Sequence, residues 1–220
     1  MSITKISAFL VSLCLLGASA QADIIEVAVW KAIASKPNSN PGMVQSALKS
    51  KSIQEKHGTP IVVSTDLVGR MYYATIHTDY AAWNNFYKAV GEDPKQAEFW
   101  KDANADPQAE RIDHYLLETV SAGEGGAVRE VYIWEALPGQ LSRLIQGGLG
   151  AKPIHEKAGA RVTVAVDRLN RMFYVMQYDS WDAYSKFHGA PIPEFSAYMD
   201  EQNKNPSGVL VEQFTASNVD

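Results

Sequence analysis

The sequence predicts an α+β protein made of two tandem copies of one folded unit, packed against each other through their sheets. Two observations carry this prediction. A long stretch of the chain repeats at an offset of 101 residues, and both copies show the same order of elements, β-α-β-β-α-β. We place the first copy at residues 23–122 and the second at residues 127–220, with a glycine-rich link between them.

The internal repeat can be followed residue by residue. Ile53–Phe86 aligns without gaps onto Ile154–Phe187, and 11 of the 34 pairs are identical. Ile24–Ala32 aligns onto Val128–Ala136 at an offset of 104. The identical pairs in this second alignment are Glu26/Glu130, Val27/Val131, Trp30/Trp134 and Ala32/Ala136. Self-similarity on this scale indicates that the second unit repeats the fold of the first.

The elements of the first copy follow from periodicity and from turn residues. In order, we predict a strand at 24–32, a helix at 42–57, strands at 60–66 and 70–77, a helix at 80–90, a short helix at 96–101 and a strand at 112–120. Gly58 ends the first helix, as a C-terminal glycine does. A turn at 67–69 separates the two middle strands. Aromatic residues at i, i+3 and i+7 mark one face of the second helix.

The second copy repeats this order. We predict strands at 128–136, 161–167, 171–178 and 209–214, and helices at 140–146, 180–188 and 194–200. Asp179 and Asp182 stand at the start of the helix at 180–188, where acidic side chains cap a helix. Asp66 and Asp167 precede the two hairpin turns, and aspartate is a frequent turn former. This reading leaves His155 in a loop.

A β-α-β-β-α-β unit is ferredoxin-like, with a four-stranded sheet covered by helices on one face. The other face needs a partner, which the duplication supplies. On this topology and repetition, the sequence resembles the dimeric α/β-barrel superfamily, as a tandem-fused member that forms the barrel within one chain. Members resembling antibiotic-biosynthesis monooxygenases, NIPSNAP-like and EthD-like proteins and haem-handling enzymes share this fold, so the resemblance does not select an activity.

Composition limits the partners of the protein. The chain has 220 residues, with 20 Lys and Arg against 25 Asp and Glu, and a pI near 5.6. A nucleic-acid binder needs a basic face, and no basic run occurs, so we exclude a nucleic-acid partner. Because the barrel interface is internal in a tandem-fused chain, we expect a monomer.

Residues 1–22 have the layout of a secretory signal peptide. Lys5 precedes an apolar run of eleven residues, which is shorter than the roughly 20 residues that span a bilayer as a helix. Small residues follow, and cleavage is predicted after Ala20 or Ala22. The mature protein is then periplasmic or secreted and is not held in a membrane. It also contains no cysteine, because Cys14 is removed.

Strand alternation divides each sheet into two faces. We predict that the aliphatic face, with Val27, Val29, Val131 and Ile133, lies beneath the helices. The opposite face then lines a cavity between the two sheets. The predicted ligand-binding residues on that face are Trp30, Tyr73, Tyr132, Trp134, Tyr174, Met176 and Tyr178, and the predicted catalytic residues are His77, Glu26 and Glu130. An aromatic cavity with few polar groups is typical of a small-molecule pocket.

Each of these residues also has a structural interpretation. Glu26 and Glu130 could form ion pairs with Arg70 or Arg171, and His77 could be a hydrogen-bonded core residue. The large aromatic residues could simply be core. A carboxylate buried without a partner would instead have a raised pKa and could act as a general acid or base.

Several functions therefore remain open. The first is an exported binder of a small aromatic or lipidic molecule. The second resembles the cofactor-independent monooxygenases and would oxidise an aromatic or quinol-like substrate, with His77 as base or hydrogen-bond donor. Haem binding is a further alternative. In the helix that follows the third strand of each copy, the only histidine that could bind the iron is His188, at the end of that helix in the second copy. The last is an assembly module whose interior is filled by its own side chains.

Metal binding is not indicated. His57, His114, His155 and His188 are scattered without an H-x-x-x-H or H-E-x-x-H spacing. We predict no metal and no cofactor.

Overall fold

The computed structural model describes residues 23–219. The predicted signal peptide, with both cleavage positions, lies outside the described residues. Eight antiparallel strands form one closed barrel in the order β1-β3-β2-β8-β5-β7-β6-β4, with six α-helices around it. The prediction of an α+β fold in which two ferredoxin-like units form a barrel within one chain is confirmed.

The strands are β1 (Ile24–Ala32), β2 (Ile61–Asp66), β3 (Arg70–His77), β4 (Ala109–Ser121), β5 (Val128–Ala136), β6 (Arg161–Asp167), β7 (Arg171–Tyr178) and β8 (Gly208–Asn218). The helices are α1 (Ser39–Gln54), α2 (Tyr80–Glu92), α3 (Pro94–Ala105), α4 (Leu141–Lys157), α5 (Trp181–His188) and α6 (Pro193–Asn203), with a 3₁₀ turn at Glu55–His57. In the part of the chain that the structure describes, no helix is both long and apolar enough to cross a membrane.

Helix α4 is the element that differs most from the prediction. It runs to Lys157, through Pro153, and so carries His155, which the sequence analysis placed in a loop. The predicted helix ended at residue 146, just before the glycines at 147, 148 and 150, whereas the observed helix continues through them and two of these glycines serve packing. A Cβ atom on Gly148 would lie 2.7 Å from Sδ of Met172, and one on Gly150 would lie 2.6 Å from the Tyr198 hydroxyl.

The two halves are joined by hydrogen-bonded strand pairs at both seams of the barrel. Strand β2 pairs with β8, with Thr65 opposite Ser217, and β4 pairs with β6, with Thr119 opposite Ala165. Within each half the strand order is that of a ferredoxin-like unit. The halves therefore share one continuous sheet instead of touching only through side chains.

The interior of the barrel is a packed apolar core. Its side chains come from strands of both halves, and none of those identified in the described residues comes from a helix. The rings of Tyr72 and Phe214 stack with centroids 4.5 Å apart, and Tyr115 meets Phe173 edge to face at 5.1 Å. Each of these pairs joins the first half to the second, so aromatic contacts hold the two units together.

The predicted orientation of the strands is wrong. Val27, Val29, Val131 and Ile133 belong to the core inside the barrel, whereas the sequence analysis placed them beneath the helices. The residues predicted to face the interior, such as Tyr174, pack instead against the helices of their own half. The reason is enclosure: the interior of a closed eight-stranded barrel is just wide enough for side chains to fill, and here the aliphatic residues of β1 and β5 pack there with four aromatic rings.

The two hairpin aspartates are turn formers, as predicted. Oδ1 of Asp66 accepts hydrogen bonds from the backbone N–H groups of Val68 and Arg70, at 3.0 and 2.8 Å. Oδ1 of Asp167 has the corresponding partners in the second half. The Arg70 and Arg171 side chains also pair with these aspartates. The predicted ion pairs of Glu26 and Glu130 with these arginines are absent from the described residues.

Candidate functional site

Two cavities lie between the sheet and the helices, one in each half. The first-half pocket has a volume of about 360 Å³ and is lined by β1, β3, β4, α1 and α3, with one residue of α2. The second-half pocket has a volume of about 250 Å³ and is lined mainly by β5, β7, α4 and α6. The cavity predicted between the two sheets is thus replaced by two pockets outside the barrel.

The predicted site residues divide into three groups. Those that line the first-half pocket are Glu26, Trp30 and Tyr73. Those that line the second-half pocket are Tyr132, Trp134, Tyr174 and Met176. Those that line neither pocket, and are buried, are His77, Glu130 and Tyr178. The chemical roles assigned to these ten residues stay predictions.

The second-half pocket is almost entirely apolar. Among the residues that the structure describes, no Asp, Glu, Lys or Arg lines it. Its larger apolar residues are Tyr132, Trp134, Leu144, Met172, Tyr174, Met176, Phe187, Ile192, Phe195, Tyr198 and Met199. Gly147 and Gly148 of α4 lie on the same wall, and their lack of side chains leaves part of the space open.

A histidine and a tyrosine form the main polar feature of this pocket. Nδ1 of His155 lies 2.8 Å from the Tyr174 hydroxyl, and the imidazole is 4.2 Å, centroid to centroid, from the Phe195 ring. Burial, reinforced by nearby His188, lowers the pKa of His155 to about 4. The imidazole is therefore neutral near pH 7. Sequence reasoning missed His155, although the repeat pairs it with Gln54, whose Oε1 accepts the corresponding bond from Tyr73.

The first-half pocket contains a carboxylate. Glu26 accepts a hydrogen bond from Nε1 of Trp83 at 2.7 Å, and its other oxygen lies 2.6 Å from Nε2 of His114. The hydroxyl of Tyr87 lies close to this carboxylate, and burial together with Glu26 raises the pKa of Tyr87. His114 was not predicted as a site residue. His114 comes close to Glu26 only because β4 pairs with β1, in a register that places His114 opposite Ala28.

His77 lies next to the first-half pocket without lining it. Its Nε2 is 2.9 Å from Oγ1 of Thr75, and Thr75 does line the pocket. Burial lowers the pKa of His77, and Glu26 offsets part of this effect. Nδ1 has no hydrogen-bond partner among the described residues. A direct contact between His77 and a ligand would therefore require Thr75 to move.

Glu130 is the second-half counterpart of Glu26, and its carboxylate is enclosed by hydrogen bonds. The Tyr132 hydroxyl donates to it at 2.8 Å and Nε2 of Gln213 at 2.9 Å. Nε2 of His188 lies 2.9 Å from the other oxygen. The residue is only 2% exposed. Glu130 is thus available to a ligand only if Tyr132 moves away.

The described residues do not fit a haem at the predicted position. His188 is the histidine that the helix after the third strand offers, but its Nε2 is engaged by Glu130 and it does not line the second-half pocket. Within residues 23–219, no group of three or more His, Cys, Asp or Glu side chains is arranged to hold a metal ion.

Comparison with known proteins identifies the fold but no family. No protein-family model matches the sequence, and no curated protein matches it. A candidate monooxygenase from Fusobacterium nucleatum superimposes with a TM-score of 0.64 at 14% identity, over 91% of this chain and 94% of that one. A candidate monooxygenase from Lactobacillus acidophilus gives 0.62 at 14% identity, over 90% and 94%.

An anthrone oxidase-like protein gives a TM-score of 0.61 at 8% identity, over 91% of this chain and 92% of that one. Each similarity covers nearly the whole of both chains, and at such low identity it shows the fold alone. The chain therefore has the fold of the dimeric α/β-barrel proteins, with both ferredoxin-like units in one polypeptide.

Proposed function

We propose that the protein binds a compact, planar and mostly apolar small molecule in the second-half pocket. The observation that carries this proposal is the wall of the pocket, which is aromatic and methionine-rich and has no ionised side chain among the described residues. A charged ligand would lose its hydration there without gaining a counter-charge. A flat ring would instead gain from burial and from stacking on Trp134.

The size and the polar groups of this pocket narrow the ligand class. Its volume of about 250 Å³ lies just below the common range for ligand pockets of about 300–1,000 Å³, so the ligand is compact. Nδ1 of the neutral His155 is engaged by Tyr174. Depending on the tautomer, Nε2 donates or accepts a hydrogen bond. A phenol hydroxyl suits either state, and a quinone oxygen suits the state in which Nε2 donates.

Calorimetric titration with 1-naphthol tests this proposal. Trp134→Ala and Tyr174→Phe should weaken binding, each by about tenfold, because stacking and one polar contact are lost. The matched first-half variants, Trp30→Ala and Tyr73→Phe, should leave the affinity of the second-half site unchanged, whatever their effect on binding in the first-half pocket. No binding by the unmodified protein up to the solubility of 1-naphthol, or equal losses in both halves, would contradict the proposal.

A monooxygenase-like oxidation of an aromatic or quinol-like substrate is the second candidate function. It is favoured by the first-half pocket, where Glu26 and His114 form an acid–base pair beside aromatic walls. A likeness in fold to candidate monooxygenases is consistent with it. The reaction balances without a further reductant. A ring C–H of a phenol becomes a carbonyl, one atom of O₂ enters the product, the other leaves as water, and the substrate supplies all four electrons.

Oxygen uptake with 1-naphthol, with 1,4-naphthoquinone as the expected product, tests this second function. Glu26→Gln should abolish turnover, because Glu26 faces the cavity. His77→Ala tests the predicted role of His77, and unchanged turnover would remove it from the mechanism. Tyr174→Phe, in the other half, is the control. No oxygen uptake by the unmodified protein leaves ligand binding as the proposed function.

We also propose that the protein is exported and monomeric. The signal-peptide pattern of residues 1–22 supports export, and the closure of the barrel within one chain supports a monomer. The mature protein should begin at Gln21 or Asp23 by N-terminal sequencing, and light scattering should give the mass of one chain. A retained Met1, or a dimer mass, would contradict the respective proposal.

A further inference from the structure

One wall of the first-half pocket carries three groups that can together ionise a bound hydroxyl group. Strand β4 contributes Arg111 and His114, and β1 contributes Glu26. In the strand pairing, Arg111 lies opposite Trp30 and His114 lies opposite Ala28, across a β-bulge. The small Ala28 side chain leaves the Glu26 carboxylate open to the cavity.

The contact with Glu26 fixes which nitrogen of His114 carries a proton. A carboxylate only accepts hydrogen bonds, so Nε2 of His114, 2.6 Å from Oε1, is the donor. Nδ1 then carries the lone pair, and it has no hydrogen-bond partner among the described residues. The other oxygen of Glu26 is held by Trp83 at 2.7 Å. Glu26 thus orients the His114 ring.

Arg111 supplies the complementary charge. It lines the same pocket, and within residues 23–219 its guanidinium makes no ion pair. A guanidinium that faces a cavity without a carboxylate partner is suited to hold an oxyanion. Arg111 and His114 are both exposed, so a proton accepted by the imidazole can pass to solvent.

The second half presents none of these three groups to its pocket. Gln213 takes the place of His114, opposite Tyr132, and Leu210 takes the place of Arg111, opposite Trp134. The hydroxyl of Tyr132, the counterpart of Ala28, covers Glu130. The same backbone scaffold therefore presents a carboxylate–imidazole pair and a cation in one pocket and neither in the other.

We propose that the first-half pocket is a proton-transfer site for a hydroxylated aromatic molecule. The O–H bond of the ligand breaks with its electron pair left on oxygen, and an N–H bond forms at Nδ1 of His114. Glu26 stays ionised opposite the imidazolium, and Arg111 holds the oxyanion. The rings of Trp30, Tyr73 and Trp100 enclose the aromatic body of the ligand. This site is independent of ligand binding in the second-half pocket.

The ionisation of 4-nitrophenol, followed by its visible absorbance, tests the site without requiring turnover. Binding to the unmodified protein should lower the apparent pKa of the phenol by at least about one unit, a tenfold change in its ionisation equilibrium. His114→Gln and Arg111→Leu reproduce the second-half residues and should each remove most of this shift. Ala28→Tyr should remove it by covering Glu26.

Two controls separate proton transfer from binding alone. Calorimetry with 4-nitroanisole, which has no acidic hydroxyl, should show similar affinity for the unmodified protein and for His114→Gln. Arg143 of α4 lines neither pocket, so Arg143→Leu should leave the absorbance shift intact. Because Arg111 is exposed, Arg111→Leu stays informative even if His114→Gln folds poorly.

Three results would overturn the proposal. The unmodified protein could bind 4-nitrophenol without any shift in its ionisation. The shift could persist in both His114→Gln and Arg111→Leu. It could also disappear in Arg143→Leu, which would show that the effect does not depend on the first-half pocket.

Discussion

The hydroxyl of Tyr174 lies 2.8 Å from Nδ1 of His155, inside the wall of the second-half pocket. This contact buries an imidazole among aromatic rings. Burial of the imidazole, reinforced by His188, lowers the pKa of His155 to about 4, since the charged form would lose its hydration there.

Stability is expected to depend on pH through this histidine. Its pKa when folded, about 4, lies below the value of about 6.5 for an exposed histidine. The unfolded chain therefore takes up the proton first as the pH falls. The free energy of unfolding should be unaffected above pH 6.5 and should drop between about pH 6.5 and 4, by up to about 3 kcal/mol.

His155→Gln is the matched control, because Gln54 occupies the equivalent position in the first half and accepts from Tyr73. Urea titrations at several pH values should show a weaker pH dependence in this variant. Some dependence will remain, since burial also lowers the pKa of His77. An unchanged pH profile would show that His155 is solvated.

Two neighbouring residues on β7 test the orientation of the strand. Phe173, 2% exposed, belongs to the barrel interior, so Phe173→Ala should cost about 3–5 kcal/mol of stability. Tyr174→Phe loses one hydrogen bond and should cost only about 1 kcal/mol, while it weakens ligand binding in the second-half pocket. Denaturant midpoints and calorimetry measure these effects. A larger loss of stability in Tyr174→Phe than in Phe173→Ala would instead support the orientation predicted from the sequence, with Tyr174 inside the barrel.

Two adjacent glycines of α4 should respond differently to substitution by alanine. A Cβ on Gly147 meets its nearest neighbour at 3.5 Å, an ordinary contact, so Gly147→Ala should stabilise the protein by up to about 1 kcal/mol through helix propensity. A Cβ on Gly148 would lie 2.7 Å from Sδ of Met172, which must then move within the pocket wall. Thermal melting should rank Gly148→Ala below Gly147→Ala, and equal melting temperatures would contradict this close approach.

The Asp66 hairpin should be sensitive to loss of charge. Asp66 accepts hydrogen bonds from two backbone N–H groups, from Nε of Arg70 and from the Tyr72 hydroxyl. Asp66→Asn replaces a carboxylate, which only accepts hydrogen bonds, with a neutral amide. The free energy of unfolding should fall by about 2 kcal/mol, because hydrogen bonds to charged groups are worth about 1.5–3 kcal/mol each. The exposed Asp102 on α3 provides a control, since Asp102→Asn should change the denaturant midpoint little.

The sequence predicted the topology because the repeat and the alternation of the strands are local signals. Alternation separates Val29 from Trp30, but it does not reveal which face meets the helices. That choice depends on the closure of the barrel, a property of all eight strands together. The aliphatic residues of β1 and β5 face the interior together with the rings of Tyr72, Tyr115, Phe173 and Phe214, whereas Trp30 and Trp134 lie in the sheet–helix layer.

The candidate site was predictable only in part. Trp30, Tyr73, Trp134 and Tyr174 could be identified because they recur in both copies, although their location was misassigned. His114 and His155 carried no spacing signal. His114 reaches Glu26 only because β4 pairs with β1. His155 lies on α4, which contains glycines and Pro153, residues that are unfavourable in a helix.

The covalent link between the two units has a consequence for their symmetry. An assembly of two identical subunits must hold two identical cavities, because any substitution appears in both. When both units belong to a single polypeptide, a substitution such as alanine at position 28 against tyrosine at position 132 alters one cavity and spares the other. The common barrel can thus stay intact while its two binding compartments specialise for different chemistry.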